Sequence, residues 1–96
     1  MKRAGQGKDN RREERKQLIG DILWSYASNA ESPQFDGTLI DVSRSGFNMI
    51  TDRKVKEGYI LRLTGKGVWP TMQFATVMWC EQVTDSVFRT GLMLNR

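Results

Sequence analysis

A chain of 96 residues, 39% hydrophobic and 27% charged, is the size of one globular domain and has no room for two cores. Its net charge of +4 sits at one end: seven basic and three acidic side chains fall within residues 1–16, and the remainder is balanced. With no histidine and one cysteine, Cys80, the sequence excludes an intramolecular disulfide, a multi-cysteine zinc site and histidine-assisted nucleophilic catalysis.

Residues 1–10 (MKRAGQGKDN) carry no large apolar side chain beyond the initiator and predict a flexible tail. Glycine, charge and glutamine follow Met1-Lys2-Arg3 where a signal peptide would be apolar. No apolar run approaches the roughly 18 residues a membrane helix needs, so no membrane insertion is expected and a cytoplasmic location is the default. The domain is expected over 11–96, opened by an arginine-rich arm at 11–16. Basic residues in such an arm suit an anionic partner.

Beyond Gln17 the helical period never develops, and short apolar segments alternate with turn residues. Strands are predicted at 18–28, 37–42, 46–51, 58–64, 72–82 and 86–94, all enriched in β-branched and aromatic residues. The connectors are turn formers: Glu31-Ser32-Pro33, Ser43-Arg44-Ser45, Gly65-Lys66-Gly67 with Pro70, and Thr84-Asp85. Ile22, Trp24 and Tyr26 share one face of the first strand, and Phe88, Leu92 and Leu94 one face of the last. A flat sheet of six short strands would leave long exposed edges, and closure removes them. The sequence therefore predicts an all-β fold, a six-stranded antiparallel barrel with a basic N-terminal arm.

No catalytic constellation emerges. The serines have no histidine partner, and the carboxylates are scattered without a pairing that implies acid–base work. Gly65-Lys66-Gly67 lacks the spacing and following helix of a phosphate loop and reads as a hairpin tip. An enzyme is not expected, and no cofactor or metal is implied.

Two elements remain. Arg11-Arg12-Glu13-Glu14-Arg15 gives an Arg-x-x-x-Arg spacing just before the first strand, and Asp41-Val42-Ser43-Arg44-Ser45-Gly46 gives Asp-x-Ser-x-x-Gly between the second and third. The arginine pair alone is weakly specific, whereas the second pattern arises by chance in only about a few per cent of chains this long. They resemble the PilZ domain family, whose cyclic di-GMP receptors carry these two motifs in this order and in these places. Val77-Met78-Trp79 and Phe88-Arg89-Thr90-Gly91-Leu92 look like that family's late Val-x-Trp and aromatic-Arg-x-Gly signatures. The resemblance spans residues 11–94. It implies a PilZ-like barrel in which an arm bearing Arg11 and Arg15 folds over cyclic di-GMP resting on Asp41, Ser43 and Gly46. The sequence ends at Arg96 just after the last strand, without the C-terminal helix of some relatives, so output is expected to pass through a separate protein partner or another copy of the chain. Asn10 precedes Arg11 where some members have a basic or apolar residue, which leaves one or two bound ligands open.

The residue chemistry suits such a ligand. Arginine donates bidentately to guanine O6 and N7, stacks on the base or pairs with phosphate, which fits Arg11 and Arg15. A carboxylate at Asp41 accepts from guanine N1–H and N2–H₂, donors that adenine cannot match. Ser43 offers a hydroxyl, and Gly46 is expected to supply positive φ and a close backbone approach to ligand. Arg12 is placed for a further phosphate contact and Trp79 to lie beside the ligand, although solvation and strand packing explain these two as well. Two other readings compete. One is a barrel that binds single-stranded RNA or DNA through the arm and exposed aromatics such as Trp24, Phe47 or Trp69; an acidic group in the binding turn argues against it. The other is a PilZ-like module that binds only protein.

Overall fold

The computed structural model describes residues 16–95. Six strands form one closed antiparallel barrel: β1 (Lys16–Tyr26), β2 (Phe35–Val42), β3 (Gly46–Thr51), β4 (Ile60–Thr64), β5 (Gln73–Thr84) and β6 (Val87–Leu94). The order around the barrel is β1-β2-β3-β6-β5-β4, closed by pairing of β1 with β4. All six predicted strands are present and no helix occurs among the described residues. The tail at 1–10 and most of the arm at 11–16 lie outside them.

Boundaries shift where turns intrude. β1 stops at Tyr26 because Ala27 and Ser28 enter a turn, with Asn29 N–H donating to the Tyr26 carbonyl (3.3 Å). β4 starts at Ile60, two residues late, because Glu57-Gly58 forms a turn. β5 runs on to Thr84 and joins β6 through the two-residue turn Asp85-Ser86.

Of the inward positions expected from alternation, Ile22, Trp24 and Leu92 belong to the core, Tyr26 and Leu94 pack half-buried against it, and Phe88 is half-buried outside that cluster. Ile22 and Trp24 of β1 meet Leu39, Phe47, Met49, Leu61, Leu63, Ala75, Val77 and Leu92, all buried. Trp24 sits at the centre of an aromatic chain, edge-on to Tyr26 (5.5 Å between centroids) and tilted against Phe35 (4.7 Å). Its indole N–H donates to the Asp36 carbonyl (3.2 Å), so the polar edge of the ring is satisfied.

Both barrel mouths are stoppered by connections. β3 and β4 stand on opposite sides of the barrel, so the segment between them must cross the mouth. It carries Val55, fully buried among charged neighbours in sequence. The Val55 N–H donates to Cys80 Sγ (3.4 Å), which also accepts from Thr90 Oγ1 (3.4 Å). At the other mouth the β4–β5 connection packs Val68 and Trp69 onto the core, with the Trp69 and Phe47 ring centroids 5.2 Å apart. No helix among the described residues is long and apolar enough to cross a membrane.

Candidate functional site

The Asp-x-Ser-x-x-Gly pattern falls on the tight turn from β2 to β3, at the mouth stoppered by Trp69. Strict alternation from Gly37 and Leu39 would point Asp41 into the core. A bulge between Leu39 and Asp41 changes the phase: Leu39 faces Met49, yet Asp41 faces Asn48 and Val42 faces Phe47. The extra residue lets Val42 take the core position and turns Asp41 to the outer face. There the Asn48 side-chain N–H₂ lies 3.1 Å from both Asp41 carboxylate oxygens.

Ser43 closes the turn. Its N–H donates to the Gly46 carbonyl (2.8 Å) and its hydroxyl to the same oxygen (3.3 Å). The Ser45 carbonyl accepts from Leu94 N–H (2.7 Å), which ties the turn to β6. Gly46 corrects the sequence expectation: among the described residues positive φ occurs only at Gly58 and Gly67. Glycine is required at 46 because a Cβ there would lie 2.2 Å from the Leu92 carbonyl oxygen. The close approach is to the barrel's own backbone.

A second bulge, between Val77 and Trp79 on β5, does for Trp79 what the first does for Asp41. Ala75 and Val77 point inward, and continued alternation would bury Trp79. The bulge sets Trp79 outside, opposite Gly91, and it is 37% exposed. A Cβ on Gly91 would fall 2.3 Å from Trp79 Cε2, so the indole rests on a glycine backbone. This contact is the physical link between the two late signatures.

The register joins these residues into one row across four strands: Asp41 beside Asn48, Asn48 beside Gly91, and Gly91 beside Trp79. A shallow depression of about 170 Å³ covers the Asn48–Gly91–Trp79 part of the row, bordered also by Ser43, Gly46 and Met93, and stops short of Asp41. β1 completes the arrangement on the far side, where Gln17 pairs with Asp41 and Lys16 with Val42. Arg11, Arg12 and Arg15 lie outside the described residues. Sequence reasoning passed over Asn48 and Gly91 as site members. The signal for Asn48 is a polar residue between the two core residues Phe47 and Met49, which places it on the outer face.

A larger depression, about 530 Å³, lies elsewhere, between the start of β2 and the β4–β5 connection. Asp21 and Asp36 line it with Lys66, and paired carboxylates repel a phosphodiester. Trp24 and Phe47, two aromatics that a nucleic-acid platform would need on the surface, are 1% and 2% exposed. They belong to the core, which corrects their reading as exposed stacking residues. Among the described residues no cluster of side chains could hold a metal ion. The chain matches no family model and no curated protein.

Proposed function

We propose that this chain is a PilZ-type receptor for cyclic di-GMP and that it reports the ligand to a protein partner. The observation that carries the reading is the β1–β2 register. It sets Lys16 beside Val42 and Gln17 beside Asp41, so the described chain begins next to the Asp-x-Ser-x-x-Gly turn, directly after Arg15. Covalent geometry keeps Arg15 one residue, and Arg11 within about 18 Å, of Lys16. That spacing supports one ligand contacting both motifs.

The chemistry of each half is complementary. Asp41 faces outward with a carboxylate suited to a guanine Watson–Crick edge, and the adjacent Asn48 amide now occupies both of its oxygens. Trp79 presents a partly exposed indole on which a base can stack. The depression along the row is smaller than the roughly 300–1,000 Å³ of a typical small-molecule site. A ligand with two guanines and two phosphodiesters overfills it, and the basic segment 11–16 supplies the remaining contacts through Arg11 and Arg15, with Arg12 on phosphate. Ser43, whose hydroxyl already bonds the Gly46 carbonyl, keeps acceptor capacity for the ligand, and Gly46 holds the turn in place. Contact of Arg11 and Arg15 with ligand alters the charge displayed beside the turn, a change that a partner can read. No catalytic step is part of this function.

Isothermal titration with cyclic di-GMP tests the proposal, using wild type, Arg15→Ala and Asp41→Ala, with GMP as a control. Saturable binding that both substitutions abolish is the expected result. A folded wild type that gives no heat with cyclic di-GMP refutes it and turns attention to a protein-only module.

A further inference from the structure

The outer surface of the barrel is divided. Of the nine large apolar side chains exposed among the described residues, all but Leu23 lie from Tyr59 onward. Five of them form one patch. Phe74 and Met78 lie on the outer side of β5 and Met72 just before its start; Thr76, between Phe74 and Met78, pairs with Ile60 of β4 on one side and Met93 of β6 on the other. These five side chains are between 42% and 51% exposed. No charged residue occurs from Gln73 to Cys80. Arg62, the register partner of Phe74, turns its guanidinium away toward Ser25 Oγ and the carbonyls of Tyr26 and Asn29 (3.2–3.4 Å).

We infer that this face of β4, β5 and β6 is a self-association surface, on which a second copy of the chain docks. Three observations select that occupant. The barrel is closed, so no free strand edge is available for pairing and association has to be face to face. The patch is also self-complementary: Thr76, half-buried and small, lies at the centre, with Phe74 and Met78 along the strand and Ile60 and Met93 across it. A two-fold axis in the interface plane at Thr76, running along the strand or across it, sets each of the four apolar arms on an apolar arm of the second copy, with the Thr76 hydroxyl donating to Asn95 Oδ1 (2.9 Å) at the centre. Finally, the five side chains present roughly 500 Å² per copy, the upper range for a patch on a monomer and, doubled, about the 1,000 Å² at which a specific interface begins. Methionines at three of the five positions adapt to a facing surface. Met78 and Met93 also border the depression beside Trp79, so the dimer contact abuts the candidate ligand site.

Sedimentation velocity of the full chain from roughly 5 to 500 µM, without ligand, tests this, because an interface of this size associates weakly. The variants are Thr76→Arg and Phe74→Lys, with Thr38→Arg on the outer side of β2 as control. Far-UV circular dichroism establishes that each is folded. Wild type and Thr38→Arg are expected to shift from monomer to dimer across the range, and both patch variants to weaken dimerisation at least tenfold. A wild type monomeric throughout overturns the inference and leaves the patch to another partner. A dimer unaffected by both patch substitutions overturns it as well, since the copies would then meet elsewhere. Neither result depends on what the β2–β3 turn binds.

Discussion

Replacing Gly46 with alanine separates a structural glycine from a ligand-contacting one. The new Cβ would stand 2.2 Å from the Leu92 carbonyl oxygen and 3.3 Å from Met93 Cα. Both are backbone atoms of β6 in the barrel wall, so neither swings aside as a side chain would. Relief requires the turn to lift from β6. That strains the Leu94 N–H to Ser45 carbonyl bond (2.7 Å) and the Ser43 N–H to Gly46 carbonyl bond (2.8 Å). Overpacking of about 1–3 kcal/mol and two weakened hydrogen bonds at about 0.5–1 kcal/mol each sum to about 3 kcal/mol. At about 4–8 °C per kcal/mol for a domain of this size, Tm should fall by roughly 12–24 °C. Thermal unfolding followed by circular dichroism, with no ligand present, is the assay. A Tm within 2–3 °C of wild type, or about half a kcal/mol, would refute the packing argument and restore the glycine to a role in ligand approach.

Further substitutions probe the rest of the molecule. Val55→Ala removes two buried methyl groups from the stopper across the β3–β4 mouth and should cost about 2 kcal/mol, read as a lower urea midpoint at unchanged slope. An unaltered midpoint would show that the stopper is not packed. Gly91→Ala places a methyl under the Trp79 indole and forces the ring outward. Its emission should shift to the red at a stability loss of about 1 kcal/mol, because a partly exposed ring can move; unchanged emission would contradict the stacked geometry. Asn48→Ala removes the amide that lies 3.1 Å from both Asp41 oxygens. Discounted for partial exposure, loss of that internal competitor at about 0.5–1 kcal/mol should tighten cyclic di-GMP binding about threefold. Weaker binding would instead make Asn48 a direct ligand contact.

Apolar alternation and turn chemistry made the six strands legible, because each strand buries one face and each connector needs glycine, proline, serine or aspartate. The inward set Ile22, Trp24 and Leu92 follows from that pattern alone. What alternation could not disclose is the pair of bulges. Leu39 with Asp41, and Val77 with Trp79, stand two apart and so belong to one face in any sequence reading. The register slip that parts them depends on the neighbouring strand, which local sequence does not encode. Val55 was invisible for a related reason: one valine among Asp52, Arg53, Lys54, Lys56 and Glu57 reads as loop until the topology carries it across the mouth. The same limit applied to Phe47, whose burial follows from the barrel's closure. The motif at Asp41, Ser43 and Gly46 was legible as a turn, but the demand on Gly46 comes from Leu92, far along the chain.

The crossing between β3 and β4 divides the barrel into two three-stranded meanders, β1-β2-β3 and β4-β5-β6, each built from hairpins between sequence neighbours. The halves meet along only two seams, β1 with β4 and β3 with β6. Such long-range pairings close late in folding, after the local hairpins. The row from Asp41 to Trp79 straddles the β3–β6 seam, with Asp41 and Asn48 on one half and Gly91 and Trp79 on the other. A molecule seated along that row is therefore a clasp between the halves. Its binding energy opposes separation of the seam and should slow amide exchange first at Asn48 and Gly91.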